Sequence, residues 1–469
     1  METPPKLSLK IAVEGCGHGS LDEIYKAVEV SCECRGWTMK QLDFLLICGD
    51  FQGTFSPTIP PSAVRNMLDL NCMSVPRRYR KLGDFHAYYS GEKRAPVLTI
   101  VIGGNHEASN YLFELYYGGW LAPNIYYMGA ANVIRYGPFR IAGLSGIFKQ
   151  SDYDQPHYER LPYGPNDVRS IYHVRDHDVM KLLKICQPVD IGVSHDWPRR
   201  VEWFGDYKKL FRERGHFFES AKVDKLGSPP AEQLLSYLRP TYWFSGHMHI
   251  KFSATVQHEI NTTIDDIFKK LTISEDIRCQ LPKSMFQAVP TSKSQRLSSL
   301  SPGITNDTTK FLALDKPGPG REFLELVEVQ SCFDKGNGST NEYFQKKSEG
   351  KFALYYDEEW LAITRASADM LTLQGRPASL VQQTLKARTI ETNLCWVKEN
   401  VTAKGLLKIP ENFGRHAPVY DSAEQVKLDE QPLEFPNSQT DSFCRMIEIP
   451  NKFSIGGDVS NDNDWIVFG

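Results

Sequence analysis

The chain lacks the features that mark membrane-spanning, secreted or strongly charged proteins. The chain has 469 residues, and no apolar stretch in it approaches the length of roughly 20 residues that is needed to cross a bilayer. The segment Met1 to Leu9 has no apolar run of the signal-peptide kind, so we expect no membrane association. The formal net charge of -3 gives no overall positive field for nucleic acid, although it leaves a local basic groove open. Ten unevenly spaced cysteines favour free thiols in a reducing compartment over a disulfide framework.

Short apolar runs alternate with segments of helical spacing, and we find no internal repeat. The runs predict strands at Lys10–Glu14, Phe44–Cys48, Pro96–Ile102, Arg140–Leu144, Asp190–Ser194 and Tyr242–Ser245. Helices are predicted at Leu21–Arg35, Ala63–Leu70 and Val179–Ile185. This alternation indicates an α/β sandwich with largely parallel sheets.

Five clusters of metal-ligand residue types follow the predicted strands. They are Gly15-Cys16-Gly17-His18-Gly19, Gly49-Asp50, Gly104-Asn105-His106-Glu107, Ser194-His195-Asp196 and Gly246-His247-Met248-His249. Ligands of α/β folds gather at the carboxyl ends of strands, and each cluster falls at such an end. The order of the set indicates one shared site of a two-metal hydrolase.

The residue types suit borderline divalent metals, because imidazole, thiolate, carboxylate and amide oxygen together favour zinc, iron(II) or manganese. Residues i and i+2 of an extended segment point to the same side, so Cys16 and His18 can share one ion. His247 and His249 can be divided between two ions, and Asp50 is the natural bridging carboxylate. With Asn105 as a ligand, His106 lies beside the site, where it can act as a general acid.

Each cluster taken alone has a structural interpretation. A single Asn-His-Glu or Ser-His-Asp usually caps a loop, and a single His-x-His is more often structural than metallic. Ser194-His195-Asp196 does not indicate a serine triad, because adjacent triad members cannot generally meet and no Gly-x-Ser-x-Gly elbow is nearby. The complete ordered set favours the metal site.

Two long segments interrupt the alternating pattern. Residues Phe148 to Asp167 are rich in aromatic and polar side chains, which predicts a functional loop whose aromatics can stack on bases. Residues Gln257 to Thr309 have the composition of a flexible insertion. After it, Phe311–Asp315 and Phe323–Val329 are predicted to pair as strands. A polar linker at Lys335–Lys351 then leads to a smaller, partly helical unit over Tyr355–Phe443.

The five clusters resemble those of the calcineurin-like metallophosphoesterase superfamily: D-x-H, G-D-x-x-D, G-N-H-[DE], a single His, and G-H-x-H. The chain departs from that pattern twice, since Cys16 replaces the usual first Asp and the second Asp of G-D-x-x-D is absent after Asp50. These departures resemble the RNA lariat debranching enzymes, as do Tyr88–Lys93, Gly118–Tyr127, Asp357–Ala362 and Pro436–Thr440. Nearly the whole chain takes part in the resemblance.

The resemblance implies a β-sandwich of mixed sheets flanked by helices, with a catalytic domain at residues 1–330 and a debranching C-terminal domain at 331–469. It implies hydrolysis of the 2′-5′ phosphodiester at the branch point of excised intron lariats, with branched RNA as the substrate. One ion would take Cys16, His18, Asp50 and His249, and the other would take Asp50, Asn105, His195 and His247. His106 would protonate the leaving 2′ oxygen. A lariat-recognition loop would lie within residues 146–170, with its RNA contacts expected at 146–167.

Three alternatives stay open at this point. They are a general dimetal phosphoesterase or phosphatase, a non-catalytic scaffold with the same fold, and a passive RNA-binding module. The substrate class implies a nuclear protein, with shuttling to the cytoplasm as a further expectation. The basic run Arg77–Lys81 is a candidate nuclear signal, but a solvated helix face is the more common role of such a run.

Overall fold

The apolar runs of the sequence form two sheets that pack face to face. The computed structural model describes residues 7–52, 64–76, 80–258, 280, 306–331, 350–371, 387–423, 426–427 and 430–453. The strands are β1 (Ser8–Glu14), β2 (Phe44–Ile47), β3 (Thr99–Val101), β4 (Gly119–Ala122), β5 (Ile125–Tyr127), β6 (Ala131–Tyr136), β7 (Phe139–Leu144), β8 (Ile191–Ser194), β9 (Tyr242–Ser245), β10 (Phe252–Gln257), β11 (Thr308–Ala313), β12 (Leu324–Gln330) and β13 (Leu354–Tyr356).

Helices cover the outer faces of the sheets and build the C-terminal part. The α-helices are α1 (Leu21–Cys34), α2 (Phe85–Ser90), α3 (Ser109–Glu114), α4 (Gln150–Tyr153), α5 (Asp167–Ser170), α6 (Asp176–Leu182), α7 (Tyr207–Glu213), α8 (Gly215–Ala221), α9 (Pro229–Leu238), α10 (Glu358–Ser367), α11 (Ala387–Val397) and α12 (Ser438–Met446). Short 3-10 turns lie at Met39–Gln41, Asp69–Cys72, Val201–Phe204 and Ala368–Met370, and a π-helical turn lies at Lys398–Thr402.

Both sheets are parallel in the middle and antiparallel at the edges. The first sheet has the order β12-β1-β2-β3-β5-β4, and the second has the order β10-β11-β9-β8-β7-β6-β13. Strands β1, β2, β3 and β5 run parallel, as do β7, β8, β9 and β11. The outer pairs are antiparallel. The mixed sandwich is therefore confirmed, and the parallel arrangement holds for the strands that end at the predicted metal ligands.

The apolar run Phe44–Ile47 is buried on both of its faces, as its sequence predicts. Phe44 and Leu46 point into the layer between the sheets, where Ile11 and Val13 of β1 also lie. Leu45 and Ile47 face the opposite way, against the apolar side of α1. Because each side of the strand meets a packed layer, its carboxyl end and Asp50 are held firmly.

Two sequence predictions about local structure are wrong. The predicted strand pair β11 and β12 does not form: β11 lies between β9 and β10, whereas β12 pairs with β1 in the other sheet. The chain therefore crosses from one sheet to the other through residues 314–323.

The predicted helix at 63–70 does not form either; its first residue lies outside the described part of the chain, and only the 3-10 turn Asp69–Cys72 forms there. The side chain of Asn66 accepts hydrogen bonds from the backbone of Leu68 and Asp69, at 3.1 Å each. This local turn competes with a helix for the same backbone groups. The predicted helix at 179–185 exists but begins earlier, at Asp176.

The C-terminal part packs against the sandwich and extends it. Strand β13 pairs with β6, and the cluster around Leu361, Val397 and Phe443 includes Tyr116 and Tyr117 of the sandwich. The domain boundary at 330 stays a prediction. The predicted linker at 335–351 and the predicted insertion at 257–309 lie largely outside the described residues. Within the described chain, no helix has the length and apolarity that a membrane span requires.

Candidate metal centre

The five clusters meet at one edge of the sandwich, because the parallel strands that precede them end side by side. Cys16 and His18 follow β1, Asp50 follows β2, and Asn105 and His106 follow β3. His195 follows β8, and His247 and His249 follow β9 in the facing sheet. The structure thus brings the predicted ligands to one place from both sheets.

One half of the centre contains the first predicted ligand set. Ligand atoms of Cys16, His18, Asp50 and His249 all lie within 4.8 Å of one another. The Nε2 atoms of His18 and His249 are 3.0 Å apart, and His18 Nε2 is 3.7 Å from Asp50 Oδ2.

The other half contains the second predicted set, and Asp50 belongs to both. His195 Nε2 lies 3.4 Å from Asp50 Oδ1 and 3.2 Å from Asn105 Oδ1. The rings of His195 and His247 are 5.0 Å apart, centre to centre. Asp50 therefore lies between the two halves, as a bridging carboxylate must.

The hydrogen bonding of His195 leaves several acceptor atoms facing one another. Its Nδ1 is 2.7 Å from the carbonyl oxygen of Cys48, which can only accept, so Nδ1 carries the proton. In the neutral ring Nε2 is then a lone pair, directed at the oxygens of Asn105 and Asp50. A cation placed between these atoms would satisfy the lone pairs of all three. The residues present therefore fit a divalent metal ion.

Four of the predicted ligands have strained backbone. The φ angles are +44° at His18, +47° at Asp50, +63° at His247 and +50° at His249, in the left-handed region that residues with a Cβ rarely adopt. The sequence prediction assumed extended segments, so its reason for the grouping of Cys16 with His18 was wrong although the grouping itself is found. Strain of this kind, about 1–3 kcal/mol per residue, is characteristic of functional sites.

Burial sets the charge states of the centre. It lowers the pKa of His249 to about 2, with help from His18 and Lys316, and lowers the pKa of His247. Both rings are thus kept in the neutral form that binds metal. Burial raises the pKa of the Cys16 thiol, and the carboxylates of Asp50 and Glu14 raise it further, so a bound cation is needed to favour the thiolate. Burial opposes ionisation of Asp50 too, but His195 and His106 hold the pKa of that carboxyl well below its usual range.

Backbone hydrogen bonds join the loops that carry Asp50 and His106. Asp50 Oδ1 accepts from the backbone N–H groups of Asn105 and His106, both at 2.9 Å. The buried Glu107 carboxylate accepts from Gly104, Phe51 and Gln52 at 2.8–2.9 Å, and Gln52 Oε1 accepts from Ala108 N at 2.8 Å. His106 is held half-buried beside the centre, its ring centroid 6.1 Å from that of His18.

The predicted recognition loop begins beside the centre and is held by the C-terminal part. Gly146 N donates to Gly103 O at 2.8 Å. Further along the loop, Tyr163 exchanges two hydrogen bonds with the side chain of Gln431, at 2.7 and 2.9 Å, and Leu161 N donates to Glu434 Oε1 at 3.2 Å. The role of the loop in RNA recognition stays a prediction.

Sequence reasoning missed three of the residues that shape this region. Gln52, Gln431 and Glu434 act through backbone partners far away in the sequence, so no local pattern identifies them. Glu107 was recognised only as part of its motif, and the structure gives it a definite function as the acceptor that joins two ligand loops.

Known proteins similar to this chain agree with the geometry. Residues 9–251 match the calcineurin-like phosphoesterase family, and residues 306–452 match the family described as "Lariat debranching enzyme, C-terminal domain". Among curated proteins, the lariat debranching enzyme of Arabidopsis thaliana is 38% identical over 442 residues, covering 94% of this chain and 87% of that protein. The human lariat debranching enzyme is 40% identical, covering 94% of this chain and 69% of its own length. That of Schizosaccharomyces pombe is 37% identical, covering 95% and 96%. The chain belongs to the lariat debranching enzyme family, within the calcineurin-like metallophosphoesterases.

Proposed function

We propose that this chain hydrolyses the 2′-5′ phosphodiester at the branch point of excised intron lariats and so releases linear RNA. The observation that carries the proposal is the convergence of seven metal-ligand side chains and His106 at one edge of the sandwich, in a chain of this family. The substrate is branched RNA, as the names of the relatives imply.

Two divalent ions, drawn from zinc, iron(II) and manganese, are the cofactors in this proposal. Cys16, His18, Asp50 and His249 would hold one, and Asp50, Asn105, His195 and His247 would hold the other. Bound there, the ions would supply Lewis-acid activation of the phosphate and of the attacking water. The thiol of Cys16 favours softer metals than an aspartate would, which is why magnesium is not in this set.

The residues of the chain would orient the substrate and move one proton. Water attacks the phosphorus in line with the 2′ oxygen and releases one proton to solvent, the bond between phosphorus and that oxygen breaks, and His106 donates a proton to the 2′ oxygen and is reprotonated from solvent. The products are a free 2′-hydroxyl and a 5′-phosphate. The hydrogen bond from His106 N to Asp50 Oδ1 fixes the backbone of His106, the proposed general acid, relative to the carboxylate of Asp50.

The test is a debranching assay on a synthetic branched RNA, with metal content measured on the same samples. His106→Ala should lower the turnover rate about 100- to 10,000-fold, the usual contribution of general acid catalysis, without loss of metal. His216→Ala, which changes an exposed histidine on α8, is the matched control and should behave as wild type. Faster turnover of p-nitrophenyl phosphate than of branched RNA would favour a general phosphatase, and purified protein without metal would favour a scaffold.

We further propose that the protein acts in the nucleus, where excised introns arise, and that it shuttles to the cytoplasm. The support is the substrate class alone. The position of a fluorescent fusion of the full chain in cells tests this, and exclusion from the nucleus would contradict it.

A further inference from the structure

The turn that follows β11 packs tightly against the first ligand loop. Cys16 N donates to Asp315 O at 3.3 Å, and Leu314 N donates to Ser245 O at the end of β9. A Cβ added to Gly15 would lie 2.2 Å from Asp315 O, so the two segments are in direct backbone contact. Lys316 is the next residue, so its backbone lies beside the loop that carries Cys16.

Lys316 is a buried cation without an acidic partner in the described part of the chain. It is 7% exposed. The neighbouring carboxylate of Asp315 binds Arg321 at 2.7 Å and the backbone N–H of Lys316 at 2.7 Å. Lys251, close by, is paired with Glu322 and Glu325. Arg214, also near the centre, donates to the carbonyl oxygen of His249 at 3.4 Å, whereas Lys316 forms no ion pair among the described residues.

The hydrogen bond between Cys16 N and Asp315 O places Lys316 next to the first ligand loop, so its ammonium adds a positive charge to this side of the centre. It contributes to the lowered pKa of His249, after burial and His18. Burial and the charge of Arg321 lower the pKa of Lys316, whereas Cys16, Asp315 and Asp50 act in the opposite direction. A partly desolvated cation is costly unless an anion accompanies it, and lysine binds phosphate as a compact point charge.

We propose that Lys316 binds a phosphate oxygen of the branched RNA on the side of the centre formed by Cys16, His18 and His249. This inference rests on the proposed function, because it takes branched RNA as the ligand. Lys316 would supply there the positive charge that the near-neutral chain lacks overall. Its role is substrate binding.

The experiment measures binding, so that it does not depend on turnover. Lys316→Met is compared with Lys310→Met, which removes the same charge from an exposed position on β11 where the ammonium lies over the Tyr242 ring. Both are made in a His106→Ala background, and the Kd for branched RNA is measured from low to moderate salt. Lys316→Met should weaken binding about 10-fold and reduce the slope of log K against log salt by about 0.7. Lys310→Met should change neither.

Lys316→Arg keeps the charge and should restore most of the affinity. Unchanged affinity and salt slope in Lys316→Met, with metal content intact, would overturn the proposal, as would an equal loss in Lys310→Met. If Lys316→Met fails to fold, Lys316→Gln replaces it with the same two expected outcomes. Failure of the wild-type chain to debranch RNA would instead overturn the proposed function, since the binding assay would still report on Lys316.

Discussion

Asp357 joins the C-terminal part of the chain to the sandwich, and its removal should loosen that attachment. The buried carboxylate accepts two hydrogen bonds from Arg140 at 2.7 and 2.8 Å and one from Arg135 at 2.8 Å. It also caps α10 by accepting from Trp360 N at 3.1 Å. Asp357→Asn keeps the shape of the side chain but leaves Arg140 with Glu359 as its remaining carboxylate partner, at 2.9 Å.

Asp357→Asn should destabilise the attachment of α10 by about 3–5 kcal/mol, the usual cost of removing one partner from a buried ion pair. The pKa of Asp357 gives an independent value for the stabilisation by this ion pair. Burial alone would raise it, but Arg140 and Arg135 lower it from 3.8 to about 2. That shift corresponds to about 2 kcal/mol. The ion-pair stabilisation is present above the ordinary value of 3.8 and is lost as the pH falls towards 2.

Hydrogen exchange of the α10 amides is the suitable assay, because it reports local opening in a chain of several units. A loss of 3 kcal/mol corresponds to about 100-fold faster exchange in Asp357→Asn at neutral pH. The difference from wild type should shrink as the pH falls from about 4 to 2. Asp369→Asn, at an exposed position just after α10, is the control. Unchanged α10 exchange in Asp357→Asn would refute the assignment of this ion pair as the attachment.

Three further predictions concern the candidate metal centre and its surroundings. In Gly104→Ala the new Cβ would lie 2.3 Å from Asp50 N and Oδ1. The variant should therefore bind metal about 10- to 100-fold more weakly in a metal titration. Metal binding at wild-type affinity would contradict this prediction. Gln431→Ala removes both hydrogen bonds to Tyr163 and should destabilise the predicted recognition loop by about 1–3 kcal/mol. The KM for branched RNA should rise with little change in kcat. An unchanged KM would show that this anchor of the loop does not contribute to RNA binding. Cys16→Asp should keep the fold but shift the metal preference towards harder ions such as magnesium, and identical activity profiles after reconstitution with zinc, iron(II), manganese and magnesium would refute this.

Much of the centre could be predicted because its ligands are tied to strand ends. The apolar runs before Asp50 and His195 specify buried parallel strands, and parallel neighbours present their carboxyl ends at one edge. The order of the clusters therefore determined which side chains meet. The local geometry was less accessible, since the left-handed residues His18 and His247 are held by distant partners: His18 N donates to Asp50 O, and His247 N donates to Cys16 Sγ.

The sequence by itself determined the mixed sandwich, the set of candidate ligand residues at the edge where the five clusters meet, and the family to which the chain belongs. Only the tertiary structure decided that β11 and β12 belong to opposite sheets, that Gln431 holds the predicted recognition loop, and that Lys316 lies unpaired beside Cys16 among the described residues. The physical reason is the range of the interactions. Strand formation and burial follow from short patterns of side chains, whereas sheet membership, loop anchoring and charge pairing depend on partners tens to hundreds of residues away.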